Sequence, residues 1–531
     1  MLPLLDCCPL LGKLFNQLYL NWLKGSRAKW LFSMDGWKMK NTWTVSQKSA
    51  VPGTAVLHVT VRAGLFFDGT GNNRVNSQIG ADCRAMMEIN NGKHIAECSG
   101  RHSDPNSSYS NDLSNIARLV ALYRHQYVAR NDGQGLKVYW PIYISGAGTT
   151  SGAGDSLWPG QSFGRGATGV VAKAEHAIKK LASRLKAFAL DNPGCVIEAL
   201  ELDVFGFSRG AASARHFINE VLRQAQGALE PALASRKVPL AADFAWDNDS
   251  VRVMVVGLFD TVAAIGSFKD FYNVRDSFSK RVNLYLPPGC ARQVLHLVAR
   301  DESRRNFALN SVAPEWSREI VLPGAHADIG GGYPPQMEEK LLLTRPRMSV
   351  ASRDNPCEAS SAWQQAQDDL QAMEAGQWID PLDQQASLRV ECCETYGHAR
   401  SAAFGLKAVM AAACLRRQVF GHLSRVHLRV MHALACDEGV PFEPVPDTQE
   451  LQLVPELEGI SRKLISYARG GAYTLDESEE RLLRWRYIHH SAHWNAIIGR
   501  VGSFSDAVFV HAPEPGGRVR YPNASHSGYR N

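Results

Sequence analysis

The stretch that decides the fold reads VFGFSRGAASARHFIN and runs from Val204 to Asn219. The apolar residues that lead into it predict a buried strand, and the alanines that follow Gly210 predict a helix. Between them stands GFSRG (206–210), a G-x-S-x-G motif in the strand, turn and helix context of a nucleophile elbow. Ser208, at the centre of this turn, is therefore the candidate nucleophile.

The composition is that of an ordinary globular protein. Of 531 residues, 45% are hydrophobic and 21% are charged, which is sufficient for two or more domains with a sizeable core. The net charge of +6, with no lysine-rich tail, does not indicate nucleic-acid binding; a solvated basic surface and weak attraction to anionic lipid both stay open. Eleven cysteines without a C-x-x-C pair predict mostly reduced thiols and no zinc site.

Residues 1–54 are predicted to form a separate N-terminal segment, for which a helix is one open interpretation. It has Asp6 where a secretory signal peptide carries basic residues, and polar side chains interrupt its apolar run. No stretch of the chain reaches the roughly 18 apolar residues of a membrane-spanning helix. We therefore expect synthesis in the cytoplasm without a signal peptide, so that any action elsewhere requires another export route.

From residue 55 onward, strand and helix patterns alternate. Strands are predicted at 57–67, 138–145, 196–205, 251–259 and 319–322, and helices at 113–123 and 169–190. Such alternation predicts an α/β fold, a mainly parallel sheet with flanking helices whose functional loops lie at the carboxyl ends of the strands. We assign 55–335 to an α/β-hydrolase catalytic core.

The rest of the chain divides by composition. Residues 336–400 read as a polar insertion or linker with one helix at 362–375, and 401–485 as a largely helical cap or membrane-contacting region. Within the latter, a helix is predicted from Ala403 to Cys436, where basic and apolar residues interleave; packing on the main domain and contact with lipid are both open. Residues 486–531 return to the catalytic core.

A serine hydroxyl needs a histidine to accept its proton and a carboxylate to orient that histidine. In α/β-hydrolases these follow the serine in the order acid, then histidine. Asp260 comes directly after the predicted strand 251–259, and His326 lies on a glycine-rich loop after 319–322. The predicted triad is Ser208, Asp260 and His326. A turn-forming aspartate and a surface histidine are the competing interpretations.

Several other polar residues stand near these positions in the sequence. Asp328 could orient His326, or hold the loop or a cation. His490 belongs to the cluster YIHHSAHWN (487–495), whose histidine spacing at 489 and 493 permits zinc, but no H-E-x-x-H motif or third ligand is present, so no metal site is predicted. The oxyanion hole requires the N–H of the residue after the nucleophile, Arg209, and a second N–H from an earlier loop. Gly69, next to Asp68, is the second donor that we select.

Five motifs in this order carry a family resemblance: FFDGTGNN (66–73), GFSRGAA (206–212), FDTV (259–262), PGAHADIGGGY (323–333) and YIHHS (487–491). Together they resemble the first family of type VI secretion lipase effectors, over roughly residues 55 to 515. The resemblance implies an α/β-hydrolase fold, catalysis by Ser208, Asp260 and His326, phospholipase A activity and no cofactor. It also implies a secretion spike or adaptor as carrier, delivery into the periplasm of a rival cell, peripheral contact with membrane phospholipid and a cognate immunity protein.

Three functions are compatible with these residues. The leading hypothesis is an antibacterial phospholipase that transfers an acyl group from a glycerophospholipid to Ser208. The alternatives are an intracellular carboxylesterase or lipase, and a catalytically idle hydrolase fold that acts as a binding module. Labelling by a fluorophosphonate distinguishes the idle fold from the enzymes, and liposomes against short-chain esters distinguish the two enzymes.

Overall fold

A computed structural model describes residues 56–79, 111–131, 135–149, 169–263, 282–373, 377–395, 405–495, 509 and 511–525. These residues belong to one compact unit, Val56–Asn531. The predicted N-terminal segment 1–54 lies outside the described residues.

The described strands are, in chain order, β1 Leu57–Phe67, β2 Gln126–Asn131, β3 Leu136–Ile144, β4 Cys195–Phe207, β5 Val251–Phe259, β6 Gln293–Ala299, β7 Leu309–Asn310, β8 Glu319–Leu322, β9 Met337–Leu342, β10 Arg347–Ser352, β11 Ser387–Thr395, β12 Leu406–Val419 and β13 Arg520–Tyr521. The described α-helices are α1 Asn115–Leu122, α2 Val170–Asp191, α3 Arg209–Leu222, α4 Leu229–Ala234, α5 His326–Gly330, α6 Ser361–Met373, α7 Leu423–Asp437, α8 Pro455–Ala468 and α9 Glu477–Arg486.

The central sheet has seven strands in the order β2-β3-β1-β4-β5-β6-β8. Only the edge pair β2 and β3 is antiparallel, and all other neighbours run parallel. β4 lies in the middle, and most of its residues are fully buried because both of its faces are covered, as is usual for parallel sheets. The elbow therefore stands at the carboxyl end of the central strand, where ligands bind in open α/β sheets.

Helices cover both faces of this sheet. On one face, α2 and α3 pack side chains such as Ile178, Leu181 and Phe217 against β1 and β4. On the other face, α1, α7 and α8 contribute residues such as Ile116 and Val426 to a second core. The predicted α/β-hydrolase-like architecture is confirmed.

Residues 337–419 build a second, antiparallel sheet in which β12 pairs with β9, β10 and β11. α6 covers one face of it through Ala362 and Ala366. The prediction of one helix from Ala403 to Cys436 is therefore wrong in its first half, where β12 lies, and right in its second half, which is α7. The alanines of this stretch favour helix, but pairing with three strands from elsewhere in the chain outweighs that preference.

Most of the described cysteines are free thiols, and two are bonded to each other. Cys357 and Cys392 form a disulfide that joins the turn before α6 to β11. The other described cysteines are free thiols. Among the described helices, none combines the length and apolar character needed to cross a membrane.

Candidate active site

Ser208 occupies a strained turn between β4 and α3. Its φ of 56° and ψ of −126° lie in a region that residues other than glycine rarely adopt. Both flanking glycines are packed too closely to carry a side chain. A Cβ on Gly206 would lie 2.6 Å from the Cα of Ala211, and a Cβ on Gly210 would lie 2.3 Å from the carbonyl oxygens of Phe67 and Asp68. Ser208 also donates its backbone N–H to the carbonyl of Phe259 at 3.0 Å, which ties the elbow to the end of β5.

Asp260 directly follows β5 and is fully buried. It too has a positive φ, 42°, so two neighbouring strands both end in strained residues at the same edge of the sheet. Its Oδ2 lies 2.5 Å from His326 Nδ1, and its Oδ1 accepts the backbone N–H of Ala299 at 3.0 Å. Burial by itself would raise the pKa of Asp260, but the Arg518 guanidinium and the bond to His326 outweigh burial and hold the pKa below its ordinary value.

His326 is the first residue of α5, after the glycine-rich turn that follows β8. Its ring lies between Phe207, with centroids 4.7 Å apart, and Phe307, at 4.8 Å. Burial lowers the pKa of the imidazole, and the bond to Asp260 opposes that effect only in part. Because Nδ1 is bonded to Asp260, Nε2 is the ring nitrogen left for proton transfer.

Asp328 binds a different histidine. Its Oδ2 accepts the backbone N–H groups of Ala325 at 2.9 Å and His489 at 3.0 Å, and its Oδ1 lies 2.7 Å from His489 Nδ1. The His489 ring in turn stacks on Tyr333 at a centroid distance of 3.7 Å. Asp328 therefore fixes the loop that carries His326 to the segment after α9, and it does not contact His326 itself through its side chain.

His490, the next residue, contacts Glu339 and Trp378. Its N–H donates to Glu339 at 2.8 Å and its ring meets the edge of Trp378, while burial lowers the pKa of the imidazole to about 4. The sequence analysis selected His490, but His489 is the histidine that binds the loop carrying His326. Among the described residues, no cluster of three or more histidine, cysteine or carboxylate side chains is arranged to hold a metal ion.

The loop after β1 is built around Asp68. This buried carboxylate accepts the Gly69 N–H at 2.7 Å and the Tyr143 hydroxyl at 2.6 Å, and burial raises its pKa to about 6. The Gly69 amide is thus engaged in this structure, so it can serve an oxyanion only if Asp68 releases it. Arg209 begins α3, and amides at a helix N-terminus point toward the space beyond the helix end.

The residue that sequence reasoning missed is Arg518. Its Nη1 and Nη2 bind the two oxygens of Asp260 at 2.7 and 2.8 Å, in the paired geometry characteristic of arginine and carboxylate. Arg518 stands 258 positions after Asp260 in a short stretch without a recognisable motif, so no local signal could have identified it.

Comparison with known families and structures agrees with this architecture. Residues 223–352, which include Asp260 and His326, match the catalytic domain described as "T6SS, Phospholipase effector Tle1-like". A solved structure, the Tle1 effector bound to the VgrG spike of the Type 6 secretion system, is 32% identical to this chain, with a TM-score of 0.68, over 88% of this chain and 94% of that one. The chain belongs to the Tle1-like family of type VI secretion phospholipase effectors.

Tle1-like membership confirms the resemblance seen in the sequence motifs. It makes the chain a lipolytic hydrolase and an effector secreted by the type VI system. A further solved structure, an uncharacterised protein from Pseudomonas aeruginosa, is 18% identical over 81% of this chain and 52% of its own; its TM-score of 0.34 is too low to support an argument. No curated protein matches the chain.

Proposed function

We propose that this Tle1-like effector is a phospholipase A that cleaves acyl esters of membrane glycerophospholipids through Ser208, Asp260 and His326. The observation that carries the proposal is a strained serine elbow at the end of β4 beside a buried carboxylate and imidazole pair at the end of β5. The order of the three residues is that of α/β-hydrolases.

In the acylation step, His326 Nε2 accepts the Ser208 hydroxyl proton while Oγ attacks the carbonyl carbon of the ester. Asp260 stays ionised, because Arg518 holds its pKa down, and it stabilises the imidazolium that forms. The N–H of Arg209 donates to the oxygen that becomes negatively charged, and Gly69 supplies a second N–H when Asp68 releases it.

The tetrahedral intermediate collapses when the imidazolium donates its proton to the departing oxygen of the lysophospholipid. Water then enters, loses a proton to His326 and attacks the acyl-enzyme, which releases the fatty acid and restores Ser208. The lowered pKa of His326 keeps the ring neutral, and so able to accept a proton, below neutral pH.

The similarity to a Tle1 effector that is bound to the VgrG spike supports a spike or adaptor as the carrier of this chain. Membership of the effector family supports delivery into the periplasm of a target cell, with a cognate immunity protein in the producer. Peripheral contact with the target membrane follows from the lipid substrate. The basic residues that suggested a lipid-binding helix are poor candidates for it, because Arg417 is buried against Glu339 and Arg425 donates to the carbonyl of Gln452.

The test uses vesicles of phosphatidylethanolamine and phosphatidylglycerol in which one acyl chain is radiolabelled. We expect wild-type protein to release labelled fatty acid and Ser208→Ala to lose about 10⁴-fold or more in rate while staying folded. Ser213→Ala is the matched control, since this buried serine of α3 donates to the Arg209 carbonyl and stands outside the proposed triad. Hydrolysis of soluble esters without vesicle hydrolysis would favour a carboxylesterase, and no turnover of either would favour an idle fold.

Location is tested in a bacterial host. Fused to a cleavable export signal, the chain is expected to permeabilise the host, whereas expression in the cytoplasm is tolerated and Ser208→Ala abolishes the effect. Equal toxicity from both compartments would contradict a periplasmic target.

A further inference from the structure

The segment 511–525, here called the C-terminal strap, lies along the stretch that connects β6 to β8. The N–H groups of Arg305, Leu309 and Ser311 donate to strap carbonyls at 2.9 Å each, and β13 of the strap pairs with β7. The strap is thus held by backbone hydrogen bonds over most of its length.

Side chains anchor the part of the strap that follows Arg518. Asn523, which is buried, accepts the Leu286 N–H and a guanidinium N–H of Arg215, both at 3.0 Å, and donates to the Leu286 carbonyl. Arg520 pairs with Glu319 at 2.7 Å. These anchors leave Arg518 little freedom to move away from the end of β5.

The side chain of Arg518 is 8% exposed and binds two partners. Its Nε donates to the Phe307 carbonyl at 2.7 Å, which fixes the plane of the guanidinium, and its two terminal nitrogens bind Asp260. The Asp260 carboxylate therefore accepts four hydrogen bonds, two from Arg518 and one each from His326 and Ala299. Because a carboxylate has about four acceptor positions, essentially all of them are occupied. Through Arg518, the strap therefore fixes the orientation of the Asp260 carboxylate.

We propose that Arg518 is the positioning residue of the catalytic site: it aims the Asp260 carboxylate at His326, and by sharing its negative charge it keeps the imidazole a weak enough base to be neutral at working pH. The inference rests on the proposed function. It adds that the C-terminal strap, which no catalytic motif includes, completes the site.

Two physical effects follow from removing the guanidinium. The Asp260 carboxylate loses two of its four hydrogen bonds, both of them from the strap, and a displacement near 1 Å costs on the order of 10² in rate. In addition, Asp260 then offers its full charge to His326, and an unshared opposite charge at this distance raises a histidine pKa by about one unit or more. Glu302, Arg304 and His296 also face this pair. Arg518 lowers the pKa of Glu302 as well, so the Arg518→Lys variant, which keeps the positive charge, is needed beside Arg518→Gln.

The experiment measures kcat, KM and the pH profile of kcat/KM on a soluble short-chain ester for wild type, Arg518→Gln and Arg518→Lys. For Arg518→Gln we expect kcat to fall about 10²-fold, KM to stay within about twofold, and the acid limb of the profile to move up by about one pH unit. Arg518→Lys keeps the charge but loses the paired geometry, so its acid limb should stay near that of the wild type while kcat falls less. Arg347→Gln, which removes the partly exposed pair of Arg347 with Asp369 beside the second sheet, is the matched control.

Fluorophosphonate labelling and thermal unfolding accompany each variant. A folded Arg518→Gln protein with an unchanged acid limb overturns the inference, whether or not kcat falls, because a purely structural role lowers rate without moving that limb. If Arg518→Gln fails to fold, the pH profile of Arg518→Lys decides instead. Lysine keeps the positive charge, so an acid limb that moves up by about one pH unit in this variant overturns the charge-sharing role. Absence of Ser208-dependent labelling in wild type overturns the proposed function as well, whereas wild-type labelling with unaltered Arg518 variants overturns only this inference.

Discussion

Asp260 and Asp328 offer a matched comparison, because each is a buried aspartate bonded to the Nδ1 of a buried histidine. We predict that Asp260→Asn abolishes activity, whereas Asp328→Asn mainly lowers stability. Replacement of one carboxylate oxygen by an NH₂ group is thus expected to have different consequences at Asp260 and at Asp328.

At Asp260, all four bound groups are donors, and two of them belong to Arg518. An asparagine has a single acceptor oxygen, so in either orientation its NH₂ group faces one N–H of the guanidinium, together with either the Ala299 N–H or the imidazole N–H. Removing the carboxylate of a serine triad in this way typically lowers kcat about 10⁴-fold, because the imidazole is held in the wrong tautomer. It also leaves the Arg518 charge buried without a counter-ion, which costs about 3–5 kcal/mol in the free energy of unfolding.

At Asp328, the oxygen that accepts two backbone N–H groups is retained in the better orientation of the asparagine. The NH₂ group then replaces Oδ1 and donates to His489 Nδ1, which moves the ring proton to Nε2. That atom is buried and has no hydrogen-bond partner among the described residues, so the proton is left unsatisfied at a cost of about 1–3 kcal/mol. No contact of His326 with Asp260 changes, and kcat should stay within about tenfold of wild type.

The assay pairs turnover of a soluble ester with urea unfolding for both variants. Asp369→Asn, which disrupts only the partly exposed pair with Arg347, is the control and should change the free energy of unfolding by less than about 1 kcal/mol. The reasoning is refuted if folded Asp328→Asn loses more activity than Asp260→Asn.

Three further predictions concern stability and are read by urea or thermal unfolding. Gly210→Ala should lower the free energy of unfolding by about 1–3 kcal/mol, because the new Cβ would lie 2.3 Å from carbonyl oxygens of the β1 loop; wild-type stability would contradict the packing described. The raised pKa of Asp68, about 6, means that the folded state binds more protons than the unfolded state, so its contribution is fully present below about pH 4 and falls by about 3 kcal/mol as pH rises to about 6. Asp68→Asn should flatten this part of the pH profile, and an unchanged slope would refute the assignment. Cys357→Ser opens a disulfide with a sequence separation of 35 and should destabilise the region around the second sheet by about 3–4 kcal/mol, an effect that should vanish when both proteins are compared under reducing conditions.

Much of the central sheet could be predicted because its signals are local. The strand 251–259 and the strand 319–322 were predicted with the bounds that the structure has, since each is a short apolar run ended by a turn. β12 was mistaken for helix because its alanines and its interleaved basic residues are compatible with both periods. Its pairing with β9, β10 and β11 makes it a strand, and those partner strands are distant from it in the sequence.

In the site, sequence order placed Ser208, Asp260 and His326 at strand ends, and the structure brings the last two into contact. Which of two adjacent histidines faces Asp328 depends on how the segment after α9 packs, so His489 and His490 could not be ranked from sequence. Arg518 was beyond prediction for a related reason, because its role exists only once the C-terminal strap has folded against β7.

The strained backbone at Ser208 sets activity against stability. A side chain at this positive φ costs about 1–2 kcal/mol that glycine would not incur. Ser208→Gly should therefore yield an inactive protein that is more stable than the active one. If Ser208 is the nucleophile, selection for catalytic activity is what retains a serine at a position where glycine would be more stable.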